Sequence, residues 1–293
     1  MKNFKTITIL SGKGGVGKSS ISASLAFSMA QKNKIVAADC DVDAANLALL
    51  FGLKKLTKNE KISTNTKAFV NNNAKGCKKI VEKCTFSAIS WVEKNQLPKI
   101  NSFLCEGCGV CKMLCPKGID MRKVENATIG EGQSKHGFTV VSGQLEMGES
   151  GSGKVVTVAK ERAQKIAKEQ HAKYLIVDSA PGIGCPVIAS VRDSDYILAV
   201  TEPTPAAFRA LQRVLEVVNH FEINYGIIIN KSDLNKGFVQ KIEKFAEEKK
   251  VSIVAKIPFS KDFVKAMTEM RSIVEVNPKY QKIFNQIIDN IPK

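Results

Sequence analysis

Hydrophobic and polar positions along the chain follow two rhythms. Short, nearly uninterrupted apolar runs occupy 5–10, 34–40, 138–142, 174–178, 196–200, 225–229 and 251–257. Stretches with helical spacing lie among them, at about 19–31, 155–170, 186–192, 205–220 and 237–249, and a shorter one at 46–52. Parallel strands covered on both faces read as continuous apolar runs, and helical crossovers join them. The pattern predicts an α/β fold: a doubly wound parallel sheet with helices on both faces. Between about 58 and 138 the rhythm fails, and Asn, Lys and Cys replace it. The chain therefore divides into one α/β domain, 1–57 and 138–293, interrupted by an insert at 58–137. Tyr280 to Ile291 is amphipathic and reads as a docked terminal helix rather than a membrane-surface one.

Composition narrows the possibilities. The chain has 293 residues and a net charge of +16, but 38 of its 44 basic residues are Lys and only 6 are Arg. With aromatics at 6% and mostly inside apolar runs, the charge reads as a solvated surface and not as a nucleic-acid face. No apolar run approaches the roughly 18 residues that span a bilayer, so no membrane partner is expected. The few apolar residues before Ser11 are too short for a signal-peptide core, and a cytoplasmic protein is expected. Of eight cysteines, six fall between 77 and 115. In a reducing compartment such clustering points to metal and not to disulfides.

The first apolar run ends at Gly12-Lys13-Gly14-Gly15-Val16-Gly17-Lys18-Ser19-Ser20, which contains GxxxxGK[ST] between a strand and a helix. Its glycines let backbone N–H groups converge on phosphate oxygens, and the helix N-terminus adds partial positive charge. The expected nucleotide is ATP or ADP; Lys18 is expected to reach the β phosphate and, in ATP, the γ phosphate, and the Ser19 hydroxyl to ligate Mg²⁺. A second near-match, Gly148 to Lys154, lacks the hydroxyl and reads as a flexible connector.

Lys13, placed before the glycine pair, makes the loop resemble that of the deviant Walker-A ATPases, the family of MinD, ParA, Mrp and the nitrogenase iron protein. The resemblance implies a P-loop NTPase of the SIMIBI or MinD-like kind. It implies a dimer, homomeric or with a related ATPase, in which Lys13 reaches the partner's nucleotide. It places Asp41, in Ala-Asp39-Cys-Asp41-Val-Asp43, where the attacking water is oriented. Asp178-Ser-Ala-Pro-Gly182 looks like the segment in which Asp178 holds Mg²⁺ through water and Gly182 senses the γ-phosphate. Asn230, in Asn230-Lys-Ser-Asp233, resembles the adenine-reading Asn of these ATPases. Asp39 and Asp43 also read as capping or solvated carboxylates, and Asn230 as a turn former.

Cys105-x2-Cys108-x2-Cys111-x3-Cys115-Pro116 is the bacterial ferredoxin run. Zinc is the rival, though its cysteine pairs usually stand well apart. In two-cluster ferredoxins the fold is duplicated, and each run's fourth cysteine ligates the other run's cluster. A shift of 31 residues places Cys115 on Cys84, and places Cys111, Cys108 and Cys105 on Ile80, Cys77 and Ala74. The crossed set Cys84, Cys105, Cys108 and Cys111 is complete. The other set, Ala74, Cys77, Ile80 and Cys115, holds two thiols. One [4Fe–4S] cluster per chain is expected, with Cys77 and Cys115 as remnants, either free thiols or a redox-sensitive pair. Cys185, seven residues after Asp178, and Cys40 read as buried small hydrophobes.

With an inserted α+β ferredoxin-like domain, the chain is similar to MinD-superfamily ATPases that carry such an insert. An ATP-gated iron–sulfur protein passing electrons to a redox partner is the leading expectation. A cluster carrier of Mrp type and a MinD/ParA-like positioning ATPase are the alternatives.

Overall fold

A computed structural model describes residues 3–292, which form two compact units. One contains residues up to 59, 129–144 and those from 152 on; the other contains 60–128 and 145–151. The first begins with β1 (Lys5–Ser11), α1 (Lys18–Ala30), β2 (Ile35–Cys40) and the short α2 (Leu47–Leu50). After β3 (Lys58–Ile62) come β4 (Asn65–Val70), α3 (Lys79–Glu82), β5 (Ile89–Val92), β6 (Leu97–Ile100), α4 (Val110–Leu114) and β7 (Ile119–Val124). Next are β8 (Ala127–Gln133), β9 (Thr139–Leu145), α5 (Ser152–Glu169), β10 (Tyr174–Pro181), α6 (Cys185–Val191), β11 (Tyr196–Thr201) and α7 (Pro205–His220). The chain closes with β12 (Tyr225–Asn230), α8 (Lys236–Glu248), β13 (Ile253–Ile257), α9 (Asp262–Thr268), α10 (Ile273–Val276) and α11 (Gln281–Asp289).

The main sheet has the order β13-β12-β11-β1-β10-β2-β9-β8-β3, and the pairings from β13 to β9 are all parallel. Successive residues of a strand point to opposite faces, and here they sort into two cores. Ile9, Leu198, Val200 and Ile228 join one, with residues of α1 and α11. Leu10, Ile197, Ala199, Ile227 and Ile229 join the other, with residues of α7 and α8. This is the doubly wound arrangement that the apolar runs predict. α11 is docked: Phe284 and Ile287 are fully buried in the first core. Burying each such side chain contributes about 1.5–3 kcal/mol. Among the described residues no helix is long and apolar enough to cross a membrane.

Two expectations need correction. The segment read as a flexible connector is partly helical, because Ser152, Gly153 and Lys154 open the 18-residue α5. A Gly-Ser-Gly pattern suggests mobility, but the apolar stripe that follows, Val155, Val156, Ala159 and Ala163, is buried and draws the helix start with it. Cys185 is exposed and not a buried hydrophobe; it sits at the start of α6, where Val187 and Val191 take the buried positions. Cys40 is buried, as expected.

The second unit is small. β4 pairs antiparallel with β7, and β5 with β6. Its core is Ala68, Ala74, Ile80, Ile89, Cys115 and Ile119, with Cys77, Cys84, Cys105 and Cys111 packed against it. Where the sequence suggests an insert at 58–137, this unit instead contains 145–151 and lacks 129–137, because β8 hydrogen-bonds in the main sheet. Asn126 closes the unit: its Oδ1 accepts from Thr64 N (2.8 Å), and its Nδ2 donates to the Ser150 carbonyl (3.1 Å).

Candidate functional site

In open parallel sheets, ligands bind beyond the carboxyl ends of the strands. The first unit collects its chemistry there. β1 ends at Ser11 and α1 starts at Lys18, so residues 12–17 form the loop between them. Gly17 caps α1 with φ +94°, and a Cβ built there would lie 2.3 Å from Asn230 Nδ2. Glycine is therefore needed for both conformation and space.

The parallel register of β10 with β2 pairs Asp178 with Asp39, side by side and fully buried. Asp178 Oδ1 accepts from Lys18 Nζ (2.9 Å) and from Ser22 Oγ (2.6 Å). Its Oδ2 is buried with no hydrogen-bond partner. Asp39 accepts from the backbone N–H of Asp41 (3.1 Å) and of Leu47 (2.8 Å), which fixes the turn after β2. That turn brings Asp41 to 3.8 Å from Lys18 Nζ, while Asp43 points to solvent.

These neighbours shift each other's protonation. Burial works against the Lys18 charge, but Asp178, Asp41 and Asp39 outweigh it and hold the ammonium above its ordinary pKa. Burial, then the Asp178 charge, push the Asp39 carboxyl up to about 7. Burial also raises Asp41, with Lys18 opposing it.

A second group of contacts ties the loop to the ends of β11 and β12. Asn230 Nδ2 donates to the Val16 carbonyl (2.8 Å), and Lys231 Nζ donates to the Gly15 carbonyl (3.1 Å). Glu202 receives Lys231 at 2.7 Å and Lys13 at 3.5 Å. Burial alone would raise the Glu202 carboxyl, but the two lysines hold it below its ordinary value. Gly182 N–H donates to the Ser11 carbonyl (2.9 Å), placing the segment after Asp178 beside the loop. Ser19 and Ser20 are half-buried on the first turn of α1.

The structure thus brings together Gly12 to Ser20, Asp41, Asp178, Gly182 and Asn230. Sequence reasoning missed Ser22, Glu202 and Lys231. Ser22 lies one helical turn after Lys18, a spacing that signals a shared face. Glu202 gives no local signal, since only the sheet order brings β11 beside β1.

The loop and its partners define a nucleotide-binding P-loop domain. The family described as the CobQ/CobB/MinD/ParA nucleotide binding domain matches residues 7–273, and the chain belongs to it. A protein of Methanocaldococcus jannaschii with no assigned function is 40% identical over 230 residues, 78% of this chain and 79% of its own. The flagellum site-determining protein YlxH of Helicobacter pylori is 28% identical, covering 70% of this chain and 50% of its own. The septum site-determining protein MinD of Pyrococcus horikoshii, solved with Mg-ADP, shares the fold: TM-score 0.60, 15% identity, 99% of this chain and 96% of that one.

The second unit holds a separate group. Cys84, Cys105, Cys108 and Cys111 line one small pocket of about 20 Å³ together with Ile80, Ala88, Ile89 and Ile100. Burial, and then the neighbouring Cys105 thiol, raise the pKa of Cys111. Cys77 and Cys115 are joined as a disulfide, which corrects the expectation that the clustered cysteines avoid disulfides and excludes free thiols for this pair. Among the described residues no three His, Cys, Asp or Glu side chains converge closely enough for a single metal ion. A four-iron cluster needs a wider cage, because each thiolate binds a different iron.

Proposed function

We propose that this chain is a nucleotide-gated ATPase whose second unit carries one [4Fe–4S] cluster. The observation that carries the proposal is the sorting of the cysteines. The four that share a pocket are Cys84, Cys105, Cys108 and Cys111. Cys115, although contiguous in the run, is tied elsewhere. The apolar wall of Ile80, Ala88, Ile89 and Ile100 suits a cluster, which is kept from water by such side chains. When bound, the cluster supplies one-electron redox chemistry.

On the nucleotide side, the unpartnered Asp178 Oδ2 suits a Mg²⁺ ion or its bound water. Ser19 would supply the hydroxyl ligand. Lys18, held by Asp178 and Asp41, would contact the β and γ phosphates of a bound ATP. Asp41 would then orient the attacking water. Lys13, 45% exposed and parked on Glu202, is free to swing to the nucleotide of a second subunit, in a homodimer or a dimer with a related ATPase. α4 buries none of its residues and turns Val110, Met113 and Leu114 outward beside Cys111. Such a face suits contact with a redox partner.

The names of YlxH and MinD favour a second reading, a positioning ATPase, in which the second unit would bind a partner without a redox role. Anaerobic purification with iron and sulfide analysis, followed by electron paramagnetic resonance with ADP and with an ATP analogue, separates the two. The proposal expects about four irons per chain and a signal that changes with nucleotide. Iron-free protein with undiminished ATPase activity would favour positioning.

A further inference from the structure

The crossed set that holds only two thiols lies in the core of the second unit. Ala74 and Ile80 are buried there, and the two surviving thiols, Cys77 and Cys115, are bonded to each other with Cα atoms 6.1 Å apart. Gly118 permits the approach: a Cβ built on it would lie 2.5 Å from Cys115 Sγ and 2.4 Å from Ala74 Cα. The pairing is selective, because Cys84, Cys105, Cys108 and Cys111 remain thiols within the same small unit. The two sulfurs also differ. Cys115 is 4% exposed, whereas Cys77 is half-buried and flanked by exposed Gly76 and Lys78. Cys115 N–H donates to the Cys111 carbonyl (2.9 Å), so one turn of α4 joins the disulfide to the four-thiol pocket.

We propose that Cys77–Cys115 is a thiol–disulfide exchange site whose substrate is a dithiol, protein-borne or small. A thiolate of the dithiol attacks Sγ of Cys77, the more exposed of the two residues. The Sγ–Sγ bond breaks, Cys77 forms a mixed disulfide, and Cys115 leaves as a thiolate that takes up a proton. The second thiol of the dithiol then attacks its own sulfur in the mixed disulfide and frees Cys77 as a thiol. The chain's disulfide gains two electrons and two protons, and the dithiol leaves as a disulfide. The exchange itself needs no metal. Its communication with the four-cysteine pocket through α4 rests on the cluster reading above.

The test uses the full-length protein poised across graded ratios of reduced to oxidised dithiothreitol, acid-quenched, alkylated and mapped by mass spectrometry. The proposal expects Cys77 and Cys115 to become reactive together in one cooperative two-thiol step in folded protein. Cys115→Ser should capture oxidised glutathione at Cys77, and Cys77→Ser should capture it at Cys115 at least ~10-fold more slowly. Independent alkylation of the two thiols at every ratio would overturn the site. So would a bond reduced only in denaturant, which would make it a structural staple. Iron assayed on the natural protein and on Cys115→Ser separates the two proposals: iron lost from Cys115→Ser, with cooperative exchange observed in the natural protein, would refute the cluster assignment alone.

Discussion

Replacing Asp39 by Asn tests the electrostatics of the nucleotide site through folding stability. Asp39 lies opposite Asp178 on paired strands, fully buried, and its carboxyl is raised from 3.8 to about 7. An unfolded Asp titrates near 3.9. Between those values the folded chain holds a proton that the unfolded chain has released, so stability falls as pH rises from about 4 to about 7. Over the whole window the loss is on the order of 4 kcal/mol. Asn has the shape of the neutral acid and cannot ionise. It accepts through one oxygen only, so one of the hydrogen bonds from Asp41 and Leu47 is lost, at a pH-independent cost of about 1–2 kcal/mol. Asp39→Asn should therefore be less stable than the natural protein near pH 4.5 and more stable near pH 8. Urea denaturation at pH 4.5, 6 and 8, at fixed ionic strength and without nucleotide or Mg²⁺, measures the difference. An unchanged gap between the two proteins at all three pH values would refute the reasoning.

Three further outcomes are expected. Lys18→Ala should abolish ATP binding by calorimetry, whereas Lys13→Ala and Asp41→Ala should bind ATP and lose roughly a thousandfold in turnover. Gly17→Ala should weaken nucleotide binding at least ~10-fold, since its Cβ would meet Asn230 Nδ2 at 2.3 Å; an unchanged Kd would count against the role of that contact. Sedimentation should show a dimer with ATP that loosens with ADP, and a monomer under every condition would remove the trans role of Lys13.

Much of the main domain is legible in the sequence. β2, IVAADC, is buried throughout, and its apolar run from Ile35 to Ala38 reflects cover on both faces. The phosphate loop is legible for a different reason: its chemistry constrains consecutive residues. Glu202 is not legible, because its partners Lys13 and Lys231 meet it only through strand order. The start of α5 was hidden by glycines that local propensity disfavours and packing overrides. Cys185 was misread because hydrophobicity does not say which side of a short helix faces out. In the second unit, strands of four to six residues leave too few positions for a clear period. There the cysteine spacing carried the information, and the internal 31-residue shift separated the pocket set from the disulfide pair.

The central proposal is that Cys84, Cys105, Cys108 and Cys111 hold a cluster. Cys84 lies outside the contiguous run yet lines the pocket, and Cys115 lies inside the run yet is bonded to Cys77. Iron and sulfide per chain, measured on anaerobic Cys84→Ser and Cys115→Ser, test it most directly. The account predicts about four irons in the natural protein, nearly the same in Cys115→Ser, and loss of the cluster in Cys84→Ser. Loss in Cys115→Ser with retention in Cys84→Ser would contradict it.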